Sequence, residues 1–122
     1  MKTLGMMLKE QIESQKMNEM SNLLKNDTGL PVIVWFCGET EIEHNTPRIK
    51  FQNSYSNKIQ PRELVPMSIE DEPKILIKNL KLNISERDVE KIRSWVREHK
   101  ETLLKYWRYE ISTREAVNLL SK

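Results

Sequence analysis

The sequence predicts an α+β fold: an N-terminal helix, a small and mainly antiparallel sheet of three to five strands, a long C-terminal helix and a short final helix. Apolar residues recur at helical spacing near both ends of the chain, and short runs rich in β-branched residues occupy the middle. Those runs lie too close together for the helical crossovers that parallel strands need, so we expect the sheet to be antiparallel.

The length and composition of the chain indicate one domain, and its small net charge produces no strong electrostatic field. The chain has 122 residues and a formal net charge of +2, and 31% of its residues are charged. This length supports a single modest core, and we expect residues 1–122 to form one domain. Because the net charge is small, any basic site has to be local. Cys37 is the only cysteine, which excludes an internal disulfide and a multi-cysteine zinc site.

The N-terminal residues do not resemble a secretion signal. In the stretch MKTLGMMLKEQ, Lys9 and Glu10 interrupt the apolar residues before a signal-peptide core develops. No run approaches the roughly 20 apolar residues of a membrane-spanning helix. We therefore expect a cytoplasmic protein that has no membrane partner.

The first helix is predicted from about Thr3 to Lys25; four of the six methionines lie within it, and Met1 lies just before it. Its apolar positions, which share one side, are Leu4, Leu8, Ile12, Met20 and Leu23. Methionine-rich helices can form adaptable contact surfaces. We therefore expect Met6, Met17 and Met20 to contact a protein partner or a second copy of the chain. The alternative is a helix that simply covers one side of the sheet.

Four strands are predicted in the middle of the chain. The continuous apolar run from Val32 to Cys37 indicates a central strand that is buried on both faces. Alternating patterns predict further strands at residues 48–52, 63–69 and 74–78. Pro66 lacks a backbone N–H, so we place the strand that contains it at an edge of the sheet.

Two helices are predicted at the C-terminal end. Ser85 and Asp88 form an N-cap pattern that opens one long helix reaching Trp107. The residues on its apolar face are Val89, Ile92, Val96, His99, Leu103 and Trp107. Ser112 and Glu115 form a capping-box pattern that opens the short final helix.

The stretch EHNTPRIKFQ (residues 43–52) predicts a binding surface. Strand alternation puts Arg48 and Lys50 on one face, and the two apolar residues between and after them on the other. Together with His44 and Tyr55, these cations could contact a protein carboxylate or a phosphate. The alternative is a solvated sheet face whose basic side chains protect a sheet edge from aggregation.

Few residues point to catalysis or metal binding. The two histidines, His44 and His99, lie on different predicted elements, so three firm metal ligands are not evident. With three glycines, the chain has no phosphate-binding loop, dinucleotide fingerprint or nucleophile elbow. We therefore predict no catalytic residue, metal or cofactor. Metal-independent RNA cleavage is the alternative, since His44, Arg48, Lys50 and Tyr55 include the residue types it needs.

Two segments resemble a known family. LPVIVWFCGETEIEHNTPRIKFQ (30–52) and ERDVEKIRSWVREHKETLLKYW (86–107) are similar to the small prokaryotic proteins grouped as domain of unknown function 4160. Those proteins carry an apolar strand, a motif like H-x-P-P-H-x-H, and a helix with W-x-x-x-H-x-x-x-L-x-x-x-W spacing. The helix spacing here is Trp95, His99, Leu103 and Trp107. The resemblance covers about residues 30–107, so residues 1–28 and 108–122 lie outside it.

The segment from His44 to Lys50 departs from the H-x-P-P-H-x-H pattern of the family. His44 keeps the first histidine and Pro47 the second proline, but Arg48 and Lys50 replace the two histidines that follow. Any metal site built on that histidine cluster would therefore be lost. Members of the family are often encoded beside another small domain, as in toxin–antitoxin pairs, which implies a partner. The resemblance thus implies a partner and no particular reaction, so we expect a protein-interaction module from a toxin–antitoxin-like or defence gene pair. The alternative, a metal-independent RNA-cleaving toxin-like enzyme, depends on the residue types and not on this resemblance.

Overall fold

The computed structural model describes residues 20–38 and 46–121, so the predictions for Met6, Met17 and His44 lie outside the described residues. The strands are β1 (Met20–Leu23), β2 (Val34–Cys37), β3 (Arg48–Gln52) and β4 (Leu64–Ser68). The α-helices are α1 (Lys25–Thr28), α2 (Glu86–Glu98), α3 (Lys100–Trp107) and α4 (Thr113–Leu120), and a 3-10 turn spans Pro61–Glu63. No described helix is long and apolar enough to cross a membrane.

The described strands form one antiparallel sheet in the order β1-β2-β3-β4, with the three longer helices packed on one face. Phe36 of β2 meets Tyr106 of α3 edge-on, with their ring centroids 4.8 Å apart. All four residues of β2 are buried, and the strand lies between β1 and β3. The α+β layout and the central position predicted for the apolar run are therefore confirmed.

The predicted N-terminal helix is wrong at its C-terminal end. Residues Met20–Leu23 form β1, which pairs with β2 from Met20 opposite Cys37 to Leu23 opposite Val34. Leu23 is only 1% exposed, whereas Asn22 is exposed, as the alternation of a strand requires. Met20 and Leu23 fit the helical spacing of the predicted helix, but pairing with β2 decides their conformation.

The predicted strand at residues 74–78 is also wrong. Its only ladder contact with β4 is a single bridge between Met67 and Ile75. The Leu76 N–H donates to the carbonyl oxygen of Pro66 at 3.0 Å. The next ladder bond would need an N–H from residue 66, which proline does not have. Pro66 does lie on an edge strand, as predicted, and it also prevents the neighbouring segment from joining the sheet.

The predicted long helix is two helices. His99 separates α2 from α3 and has φ −106° and ψ 14°, well outside α-helical values. Its Nδ1 atom lies 2.9 Å from the carbonyl oxygen of Trp95. Both predicted N-caps are confirmed, because the Ser85 and Ser112 hydroxyls accept the backbone N–H groups of Asp88 and Glu115. At Ser112 only this half of the predicted capping box is found among the described hydrogen bonds.

A tyrosine with left-handed backbone geometry joins the end of α3 to the end of β2. Tyr109 has φ 60°, and the following Glu110 N–H donates to the Lys105 carbonyl at 2.8 Å, which closes the helix. The ring of Tyr109 lies against Gly38: a Cβ at residue 38 would be 2.7 Å from ring atom Cε1. Gly38 therefore leaves the space that the tyrosine ring occupies.

Gly38→Ala should lower the free energy of unfolding by about 1 kcal/mol or less, because the added methyl group displaces only the outer end of the exposed Tyr109 ring. The cost should largely disappear in a Tyr109→Gly background, which removes the ring and suits the left-handed backbone. Urea unfolding of the two single variants and the double variant measures this coupling. An equal cost in both backgrounds would contradict the contact.

Trp107→Ala should lower the free energy of unfolding by about 3–5 kcal/mol, because the side chain is only 6% exposed. The control is Leu119→Ala, at a residue that is 52% exposed, which should change it by about 0.5 kcal/mol or less. Thermal and urea melts compare the variants. Similar small changes in both would show that Trp107 is not a core residue.

Candidate interaction surface

The predicted basic residues lie on the sheet face opposite the helices. Arg48 and Lys50 are half-buried and alternate with Ile49 and Phe51, which belong to the core. Because β3 lies between β2 and β4, these cations are not on a sheet edge, and the edge-protection interpretation is wrong. The Arg48 Nε donates to the Thr46 carbonyl at 3.1 Å. The structure therefore brings Arg48 and Lys50 to one internal strand face.

A buried glutamine limits how far this basic face extends. Gln52 follows Arg48 and Lys50 on the same face by alternation, yet it is 0% exposed. Its Nε2 donates to the Lys58 carbonyl at 3.0 Å, and its Oε1 accepts the Gln60 N–H at 2.8 Å. The loop after β3 thus closes over Gln52 and is held in place by that side chain.

Tyr55, the remaining described residue of the predicted site, lies elsewhere. Its hydroxyl donates to the Asp88 carboxylate at 2.5 Å and accepts the Ser85 N–H at 2.9 Å. Lys25 donates to the Tyr55 carbonyl oxygen. Within the described part of the chain, no hydrogen bond joins Tyr55 to Arg48 or Lys50. Tyr55 therefore ties the loop after β3 to the start of α2, on the helical side of the sheet.

The cysteine and the histidine of the described part of the chain do not belong to a metal-ligand cluster. No group of three His, Cys, Asp or Glu residues within residues 20–38 and 46–121 could hold a metal ion. Cys37 is buried at the end of β2. His99 lies between two helices, with its ring against the Trp95 ring at a centroid distance of 4.9 Å. These residues are therefore integrated into the packing of the fold.

A surface that the sequence analysis missed lies beside β4. Leu76 and Ile77 are 37% and 42% exposed, although they are adjacent large aliphatic residues. Lys74, Lys78 and Lys81 are exposed on either side of them. We call these five residues the Lys74–Lys81 surface. Three other residues of the same segment, Ile75, Leu80 and Leu82, pack against the core. The segment is thus anchored while it presents two aliphatic side chains.

Hydrogen bonds fix this segment at both ends. The Arg93 Nε donates to the Pro73 carbonyl at 3.1 Å. At the other end, the Asn53 Nδ2 donates to the Lys81 carbonyl at 3.0 Å, and the Asn53 Oδ1 accepts the Asn83 N–H at 2.7 Å. Asn53 itself is buried. The exposed aliphatic residues therefore sit on a supported backbone.

The lysines of this surface differ from most cations of α2 and α3 in forming no ion pair with a described residue. The ion pairs between described residues are Lys91–Asp88, Arg93–Glu90, Arg97–Glu90, Lys100–Asp71, Lys105–Glu101 and Arg108–Glu110. Lys74, Lys78 and Lys81 form no ion pair with any residue in the described part of the chain. No Asp or Glu occurs from Pro73 to Ser85. This acid-free stretch is a sequence signal for the surface, although the alternating apolar residues within it predict a strand.

Comparisons with family models, curated proteins and solved structures found no match to this chain. The resemblance to domain of unknown function 4160 therefore stays a prediction that depends on the residue pattern.

Tyr55→Phe should lower the free energy of unfolding at pH 7. The difference in this free energy between the variant and the wild type should become smaller in acid. The Tyr55 hydroxyl is the main cause that holds the pKa of Asp88 below its usual 3.8. A lowered folded-state pKa contributes stability above pH 3.8, and this is lost as the pH falls through the folded-state value. Urea midpoints measured between pH 7 and pH 2 give the comparison.

The matched control is Tyr106→Phe, since the Tyr106 hydroxyl contacts the neutral hydroxyl of Thr113 at 3.0 Å. Its difference from the wild type should not change with pH over the same range. A pH-independent difference for Tyr55→Phe as well would show that Asp88 is not stabilised by the tyrosine.

Proposed function

We propose that this protein is an interaction module that binds another protein through the Lys74–Lys81 surface. The observation that carries the proposal is the exposure of Leu76 and Ile77 on a segment whose other apolar residues pack against the core. A flexible tail could expose aliphatic residues at little cost, but this segment is fixed by Arg93 and Asn53. A supported apolar surface with a charged rim is typical of a protein-binding site.

The other exposed hydrophobic residues are separated from one another in sequence. Single exposed aliphatic or aromatic side chains are common on soluble proteins and need no explanation. The other large examples among the described residues are Leu24, Tyr55, Ile59, Tyr109 and Leu119. No two of these are adjacent in sequence, whereas Leu76 and Ile77 are consecutive and flanked by cations. This contrast favours the Lys74–Lys81 surface as the main contact.

The resemblance supports a narrower version of the proposal. We propose that the partner is encoded beside this protein in a toxin–antitoxin-like or defence gene pair and that the pair acts in the cytoplasm. His44, Arg48 and Lys50 remain candidates for a second contact. Met6, Met17 and Met20 remain candidates for contacts with the partner or with a second copy of the chain.

The RNA-cleaving alternative has less support from the geometry. Cleavage without a metal needs a base, an acid and a cation that reach one phosphate group. Tyr55 is one of the four residues whose side-chain types suit this chemistry, but its hydroxyl donates to Asp88 and accepts from Ser85. It therefore does not join Arg48 in a shared site within the described part of the structure.

The test is co-purification from the native host at near-native expression. The wild type should retain a protein partner, and Leu76→Ser/Ile77→Ser should lose most of it, because the variant removes the aliphatic contact. The matched control is Ile59→Ser/Leu119→Ser, which changes two residues that are at least as exposed. Circular dichroism confirms that both double variants are folded. A partner retained equally by both double variants, or no partner on the wild type, would overturn the proposal.

A further inference from the structure

The charges around Leu76 and Ile77 indicate the chemistry of the protein partner. This inference rests on the proposed function. Lys74 and Lys78 lie on either side of the two aliphatic residues along the chain, and Lys81 follows three residues after Lys78. We infer that the partner presents an acidic segment in which carboxylates flank one or two aliphatic side chains. The aliphatic side chains contact Leu76 and Ile77, and the carboxylates pair with the lysines.

The chain does not satisfy these lysines itself. Most cations of α2 and α3 are paired with acids on the same or a neighbouring turn, or with Asp71. Lys74, Lys78 and Lys81 form no such pair with a described residue, and no acid lies between Pro73 and Ser85. Like charges held this close in sequence repel one another, so carboxylates from a partner relieve the repulsion. Charge complementarity therefore selects an acidic partner.

The exposure of the aliphatic residues favours a protein over a membrane. Insertion into a lipid surface requires apolar side chains that reach about 5–10 Å into the headgroup and acyl boundary. Leu76 and Ile77 are 37% and 42% exposed, so more than half of each residue is already covered by the protein. Side chains that are more than half covered do not project far from the protein, so they suit contact with the surface of another protein.

The residue types also argue against a nucleic acid. Single-stranded nucleic acids are bound by aromatic side chains that stack on bases, and arginine forks hold phosphates bidentately, whereas lysine binds phosphate only as a point charge. From Pro73 to Ser85 the chain has no aromatic residue and no arginine. Aliphatic side chains between lysines instead match acidic and aliphatic side chains on a protein segment.

The experiment titrates the ¹⁵N-labelled full chain with the peptide Glu-Glu-Leu-Ile-Glu-Glu, followed by amide chemical shifts. We expect saturable shifts that centre on residues 74–81. Lys74→Glu/Lys78→Glu/Lys81→Glu should weaken binding by about tenfold or more, since it removes three attractive pairs. The matched control is Lys58→Glu/Arg87→Glu/Arg114→Glu, which makes the same change in net charge at three exposed residues and should leave the affinity unchanged.

Four further probes complete the titration. Replacing the glutamates of the peptide by lysine, or its aliphatic residues by serine, should abolish the shifts. Vesicles of anionic phosphatidylglycerol and an oligouridine RNA should not shift residues 74–81. Equal binding of the lysine peptide, equal loss in both charge-reversed variants, or shifts at this surface with vesicles or RNA alone would overturn the inference.

The co-purification test separates this inference from the proposed function. A partner that is lost with Leu76→Ser/Ile77→Ser but retained by the triple lysine variant would support the interaction module and overturn the acidic partner. A partner that is retained by both variants would overturn both.

Discussion

The absence of one backbone N–H, at Pro66, determines how this sheet ends and what its edge presents. The Pro66 carbonyl accepts the Leu76 N–H, but proline has no hydrogen to return to the following segment. The ladder therefore stops after the bridge between Met67 and Ile75. Ile77, which a longer ladder would have placed opposite the core residue Val65, remains exposed together with Leu76 beside three lysines.

Buried polar side chains make that exposure stable, because they hold the surrounding loops in fixed positions. Gln52 and Asn53 follow one another at the end of β3 and bond in different directions, one to the loop after β3 and the other to the backbone at Lys81 and Asn83. Tyr55 adds a third tie, to the start of α2. The irregular segments on either side of β4 are thus supported by hydrogen bonds where they lack ladder partners.

Local patterns in the sequence predict the parts of this fold that local chemistry decides. The apolar run that ends at Cys37 predicts β2, and Ser85 and Ser112 predict two helix starts, because burial and capping depend on neighbouring residues. Strand β1 has only four residues, too few for a period to separate strand from helix. The role of Tyr55 depends on Asp88, 33 residues away, which no local pattern reports. At the candidate site, the residue types of the Lys74–Lys81 surface are visible in the sequence. Its exposure is not, because that depends on the partner strand.

Amide hydrogen exchange in a Pro66→Ala variant tests the role of Pro66 most directly. The substitution supplies the missing donor, so the account predicts that the ladder extends to the segment after Ile75. The new amide at residue 66 and the amide of Lys78 should then exchange much more slowly than loop amides. Ile77, which the extended register places opposite the core residue Val65, should become less accessible. Fast exchange at both amides, with the exposure of Ile77 unchanged, would show that something other than Pro66 keeps this surface open.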